Sequence, residues 1–227
     1  MVGKEDLARH IEQTLLRPSA TREEVTSFLE EARQYPFHAV MVNPTWVSLA
    51  ARILEGTPIL PGTAIGFPLG ATLSEVKAEE ARRSVALGAR EVDVVINIGA
   101  LKGHDDALVL SDLAGVVEAV RGVPGVDPTA ITVKAILETC YLSDEEKERA
   151  SRLAIEAGCD FIKTSTGFGP AGATPADVRL MSRVAAGRVR VKAAGGVATL
   201  AAALELIEAG ADRLGTSKGV QILNDLA

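Results

Sequence analysis

The stretch ALGAREVDVVINI, residues 86–98, runs from the end of one helix through a whole strand. Gly88 offers the left-handed stop that a helix needs, and Glu91–Ile98 follows as a run dense in β-branched residues. The same junction recurs at Gly158-Cys159-Asp160-Phe161 and at Gly210-Ala211-Asp212-Arg213-Leu214. The glycines are 70 and then 52 residues apart, so this is a recurring helix-to-strand join and not a fixed-period repeat. Outward from these joins, β-rich runs at His38–Val42, Thr63–Phe67, Ile131–Glu138, Asp160–Thr166, Val189–Ala193 and Arg213–Thr216 alternate with stretches of helical periodicity. Thr14-Leu15-Leu16, just before Pro18, is the candidate for an eighth strand. Thr21 with Glu24 and Ser143 with Glu146 have capping-box spacing, and Thr174-Pro175 reads as a cap followed by a first-turn proline. Alternation of β and α predicts a parallel sheet. No GxGxxG follows the first strand, which favours closure over a dinucleotide-binding open sheet. The expected fold is α/β, a (β/α)8 barrel with a short N-terminal helix before it, formed by residues 1–227 as a single catalytic domain.

Composition narrows the partners. The chain has 227 residues, 47% of them apolar, with 24 Lys and Arg against 30 Asp and Glu, a formal charge of −6. No basic block stands out, which argues against a nucleic acid or an anionic membrane held by bulk electrostatics. No apolar run approaches the roughly 18 residues needed to span a bilayer, and Met1-Val-Gly-Lys-Glu-Asp lacks an apolar signal region, so a cytoplasmic location is expected. Cys140 and Cys159 lack metal-site spacing and read as ordinary thiols. His10, His38 and His104 are isolated from one another, so no metal and no cofactor is expected.

Charged residues on barrel strands need a reason, because such strands are covered on both faces. Alternation puts Asp93 on the face opposite Val92 and Val94, and Lys134 opposite Val133 and Ala135. Lys192 likewise opposes Val191, and Lys163 shares its face with Phe161 and Ser165. One carboxylate and three lysines from four successive strands then converge in the barrel. Crowded, desolvated ammonium groups lose protons more readily than the usual value of about 10.4 implies. A neutral lysine attacks an aldehyde or ketone to give a Schiff base, an electron sink for breaking the adjacent carbon–carbon bond. Asp93 is placed to pair with a lysine and move protons. Three glycine turns, Thr166-Gly167, Gly195-Gly196 and Gly215-Thr216-Ser217-Lys218, follow the last strands, where barrels commonly cradle phosphate beside a short helix.

In order and type the motifs QTLLRPSAT (13–21), VNPTWV (42–47), GFPLG (66–70), EVDVVINIGALK (91–102), VKAILET (133–139), FIKTSTGFG (161–169), VKAAGGV (191–197) and RLGTS (213–217) resemble the 2-deoxyribose-5-phosphate aldolase family. The resemblance covers nearly the whole chain. It implies a Schiff-base aldolase that reversibly cleaves 2-deoxy-D-ribose 5-phosphate to D-glyceraldehyde 3-phosphate and acetaldehyde. Lys163 would be the Schiff-base lysine, Lys192 the neighbouring cation and Asp93 the proton-transfer carboxylate assisted through water. Lys134 matches a family lysine beside them. Substrate and phosphate contacts are expected from Lys134, Thr166, Gly167, Gly195, Gly196, Gly215, Ser217 and Lys218. Departures from the family pattern fall at Glu12-Gln13 (usually Asp-His) and Met41 (often Cys), both bearing on substrate-edge contacts. Two more are Ala198, where many relatives have Arg, and Lys218, which is expected to replace that Arg. A homodimer is expected. The competing readings are another phosphate-binding barrel enzyme, such as a sugar-phosphate isomerase or a transaldolase-type lyase, and a catalytically silent sugar-phosphate-binding protein.

Overall fold

The computed structural model of the chain describes residues 3–226. Eight parallel strands close into a barrel: β1 (Ile11–Leu15), β2 (Ala39–Val42), β3 (Leu60–Ile65), β4 (Glu91–Val95), β5 (Thr132–Ile136), β6 (Phe161–Lys163), β7 (Arg190–Ala194) and β8 (Arg213–Thr216). Each strand pairs with its chain neighbours, and β1 closes the ring by setting Glu12 against Gly215 of β8 and Ala39 of β2. Helix α1 (Lys4–His10) precedes the barrel. Around it lie α2 (Arg22–Ala32), α3 (Val47–Ile53), α4 (Ser74–Ala86), α5 (Ile98–Lys102), α6 (Asp106–Arg121), α7 (Asp144–Glu156), α8 (Pro175–Ala185), α9 (Leu200–Glu208) and α10 (Gly219–Asn224).

The local signals form as read. Thr21 and Ser143 each head a complete capping box, and Thr174 accepts from Asp177 N at the start of α8. Gly88, Gly158 and Gly210 take φ of 112°, 84° and 111°, the left-handed stops that return each helix to a strand. Strand ends are corrected at several points. The eighth strand is Ile11–Leu15, because Glu12 and Gln13 belong to it despite their polarity. β3 runs from Leu60 to Ile65, three residues earlier at its start and two at its end than the expected Thr63–Phe67. Gly62 is required there by packing, since a Cβ would lie 2.5 Å from Met41 Sδ and 2.8 Å from Glu91 Cβ. β4 ends at Val95 because Asn97 caps α5, accepting from Ala100 N. β5 ends at Ile136, two residues before Glu138 turns left-handed at φ 56°.

Two cores result. Outward-facing Val92, Val94, Val133, Ala135, Ile162, Val191, Ala193 and Leu214 are buried in the apolar layer beneath the helices. Burying a Val, Ile or Leu stabilises by about 1.5–3 kcal/mol each, so this layer closes the ring. Inside, the filling is charged: Glu12, Glu91, Asp93, Lys134, Lys163 and Lys192 are all buried. Phe161 also points inward, as alternation requires, and its ring receives the Arg190 guanidinium at 4.2 Å. Between α4 and α6 the buried Lys77 donates to Asp112 Oδ2 (2.5 Å) and to Val95 O (2.9 Å), tying both helices to the end of β4.

Candidate active site

Register brings the lysines to one carboxylate. Asp93 pairs with Lys134 across β4 and β5, and Lys163 pairs with Lys192 across β6 and β7. Asp93 Oδ2 accepts from Lys163 Nζ (2.7 Å) and from Lys192 Nζ (2.6 Å), while Oδ1 accepts from Lys134 Nζ (2.9 Å). Lys192 also donates to Glu12 and Lys134 to Glu91, and Lys134 lies 3.4 Å from Glu12. Thr164, the residue after β6, clips the two lysine strands together: its Oγ1 donates to Ala194 O and accepts from Ala194 N, both at 3.1 Å.

The environment sets the protons. Burial pushes the Lys163 ammonium down from 10.5 to about 8; Asp93 opposes this and Lys192 adds to it. Lys134 goes the other way, because Asp93, Glu12 and Glu91 together outweigh its burial and raise it. Burial alone would raise the Asp93 carboxyl, but the three lysines hold it well below the usual carboxylate range. Glu91 is brought down to about 2 against its burial by Lys134 and His38.

Above this cluster the mouth of the barrel holds a cavity of about 380 Å³. Its wall includes Lys163, Thr166, Gly167, Gly195, Gly196, Gly215, Ser217 and Lys218. Lys163 is thus the member of the lysine trio that opens onto the cavity, whereas Asp93, Lys134 and Lys192 lie beneath it with no exposed surface. The glycine turns are built for close approach. Gly167, Gly195 and Gly196 take φ of 86°, 85° and 77°, and a Cβ on Gly172 would stand 2.1 Å from Gly195 O.

The sequence profile of the DeoC/LacD family aldolases matches residues 12–225. The chain belongs to that family. A deoxyribose-phosphate aldolase of Carboxydothermus hydrogenoformans is 50% identical over 226 residues, covering 100% of this chain and 97% of the relative. Among solved structures, an aldolase named QR15 superposes with a TM-score of 0.90 at 38% identity, covering 97% of this chain and 96% of that one. The deoxyribose phosphate aldolase of Aeropyrum pernix, described as a unique tetramer, gives a TM-score of 0.89 at 32% identity, covering 99% and 92%.

Within this aldolase fold several expected contacts change. Lys134, expected to touch substrate, is fully buried and its ammonium is engaged by Glu91, Asp93 and Glu12. Thr166 lines the cavity, yet its N–H and its hydroxyl both donate to Glu138. The first N–H of α10, at Gly219, donates to Gln13 Oε1 (2.9 Å) and is not free for an anion. Glu12, Gln13 and Met41, the positions where the chain departs from the family pattern, are buried in or around the barrel wall.

Two roles escaped the sequence reading, in which Glu12 figured only as a departure from the family pattern and Arg17 only within a motif. Glu12 carries a charge into the interior from a strand whose polar start concealed it. Arg17, on the loop after β1, lines the cavity and pairs with Glu24 at 2.6 Å. A cation directly after a barrel strand was the available signal. His38 is no isolated packing residue either: it binds Glu91 Oε1 at 2.7 Å and Arg213 at 3.2 Å. Ligand atoms of Glu12, His38 and Glu91 lie within 4.8 Å of one another, but lysines already neutralise both carboxylates, and a dication there would have to displace them.

Proposed function

We propose that this protein is a deoxyribose-phosphate aldolase, reversibly cleaving 2-deoxy-D-ribose 5-phosphate to D-glyceraldehyde 3-phosphate and acetaldehyde through a Schiff base on Lys163. The observation that carries this reading is that Lys163, held at about 8 by burial and Lys192, is the lysine of the trio facing the cavity. At neutral pH a useful fraction of it is free amine. The amine attacks C1 of the open-chain sugar to form a carbinolamine, which loses water to give an iminium. The iminium accepts the C2–C3 bond pair as the C3 hydroxyl loses its proton, releasing the phosphorylated aldehyde. The enamine left behind is protonated at carbon, and hydrolysis returns acetaldehyde and the free lysine.

Asp93 keeps the nucleophile and Lys192 on one oxygen, and the proton transfers of the carbinolamine pass through it with the help of a water. A carboxylate held so far below its usual range does not keep a proton, so Asp93 relays it between the carbinolamine and that water and does not store it. Lys134 anchors Asp93 from below. Phosphate is received by the turns at Gly167, Gly195, Gly196, Gly215 and Ser217, with Lys218 and Arg17 supplying charge at the rim. The iminium is itself the electron sink, so the route calls for no metal or cofactor.

Residues 1–227 act as one catalytic unit, cytoplasmic and working as a homodimer. Among the described residues no helix is long and apolar enough to cross a membrane, and the net charge of −6 disfavours nucleic acid. Acetaldehyde release from 2-deoxyribose 5-phosphate by the wild type and by Lys163→Leu tests the reading. Turnover by the wild type alone supports it. Binding without turnover in the wild type, or cleavage retained in the variant, would reject it.

A further inference from the structure

Glu138 stands outside the chemistry described so far, although it sits at the rim of the barrel two residues after the end of β5. It is 2% exposed and adopts φ 56°, a left-handed conformation that a non-glycine residue takes only when its surroundings enforce it. Its carboxylate accepts from Thr166 N (3.2 Å) with Oε1 and from the Thr166 hydroxyl with Oε2. Cys140 Sγ lies 3.8 Å from Oε1, and the Gly169 backbone packs so closely that a Cβ there would be 3.3 Å from Glu138 Cδ. All of these partners are neutral. A buried carboxylate ringed by neutral donors and glycine is placed to hold a backbone turn, not to balance a charge.

That turn forms the wall of the cavity beside Lys163. Thr166 Oγ1, fixed by Glu138, in turn accepts from Phe168 N (3.0 Å). Thr166, Gly167 and Phe168 all line the cavity, and the Phe168 ring meets Phe67 edge-on at 5.2 Å. A single chain of contacts therefore leads from Glu138 through Thr166 to the position of Phe168.

We propose that Glu138 is a positioning residue that fixes the Thr166–Gly167–Phe168 turn and thereby sets affinity for the phosphorylated half of the substrate. This deepens the aldolase reading and rests on it. The side-chain hydrogen bonds of Glu138 go to Thr166 and Cys140 and none to Lys163 or Asp93, so it acts on binding while the amine chemistry stays intact. Glu138→Gln keeps the shape but turns one acceptor into a donor facing Thr166. Thr166→Val removes the hydroxyl and leaves the backbone N–H.

Steady-state cleavage of the phosphorylated sugar by both variants and by their combination separates KM from kcat, and amide hydrogen exchange at residues 166 and 168 reads the turn. Each single change is expected to raise KM by about tenfold and leave turnover within about twofold, in line with loss of a hydrogen bond to a charged group. The combination is expected to be no worse than the more impaired single variant, because both break one chain of contacts. Unchanged KM in Glu138→Gln, or effects that multiply in the combination, would overturn the proposal. If Glu138→Gln does not fold, an unchanged KM in Thr166→Val overturns it. Exchange needs no substrate: amides 166 and 168 are expected to exchange faster in Glu138→Gln, and unchanged exchange overturns the role. Absence of cleavage by the wild type would fail the aldolase reading instead, with the exchange result still deciding what Glu138 holds.

Discussion

Removing Lys192 should raise the proton affinity of Lys163, and the size of the effect follows from where the two amines sit. Both donate to Asp93 Oδ2, at 2.7 and 2.6 Å, which keeps them within about 5 Å of each other. Two unit charges about 5 Å apart repel by about 3 kcal/mol at an effective dielectric of ~20, equal to about two decades in protonation. In Lys192→Met the repulsion is gone, while Asp93 remains and Glu12, whose charge also favours the protonated Lys163, loses a partner. The midpoint for Lys163 is then expected to move from about 8 to between about 9 and 10, cutting the neutral amine at pH 7 by roughly 10- to 100-fold. The assay is the initial rate of acetaldehyde adduct formation, trapped with cyanoborohydride and read by intact mass between about pH 6 and 10. Asp93→Asn serves as the opposite-sign control, since losing the carboxylate should move the midpoint below 8. A midpoint in Lys192→Met that stays at 8 or falls would refute the electrostatic argument.

Lys218→Ala and Arg17→Ala are each expected to raise KM for the phosphorylated sugar by about tenfold and leave KM for the unphosphorylated sugar unchanged, measured by steady-state cleavage. Equal effects on both sugars would show that neither residue reads the phosphate. Lys163 also bears on stability: its folded-state value of about 8 lies below 10.5, so the unfolded chain binds the proton more tightly. Below about pH 8 this costs the fold up to about 3 kcal/mol, and the cost is relieved as pH rises toward 10.5. Lys163→Met should therefore unfold at higher urea than the wild type at pH 7, with the gap narrowing above pH 8; a constant gap would contradict the sign. Asp112→Ala strands the buried Lys77 ammonium between α4 and α6 and should cost about 3–5 kcal/mol in urea unfolding at pH 7.

The barrel was legible because its joins are local. Gly88, Gly158 and Gly210 stop helices by backbone conformation alone, and no tertiary contact alters that requirement. The inward set was legible for the same reason: once Val92 and Val94 must face helices, Asp93 has one direction left. β1 was partly hidden, since Glu12 faces a charged interior and Gln13 serves α10, and neither carries the apolar alternation of an ordinary strand. Depth within the barrel could not be read either. Alternation says which face Lys134 and Lys163 share, while the stagger between strands decides that one opens to the cavity and the other is enclosed by Glu91, Asp93 and Glu12. Thr166 reads as a ligand contact because it opens a glycine turn at the end of a strand. Its donors are claimed by Glu138, across a distance in sequence that no local pattern reports.

The most direct test of the central claim is peptide mapping of the protein after acetaldehyde and cyanoborohydride, across a pH series. The reduced adduct should appear on the peptide carrying Lys163, with labelling half-maximal near pH 8 and no label on Lys134 or Lys192. Label on either buried lysine in preference to Lys163, or half-maximal labelling near 10.5, would contradict it.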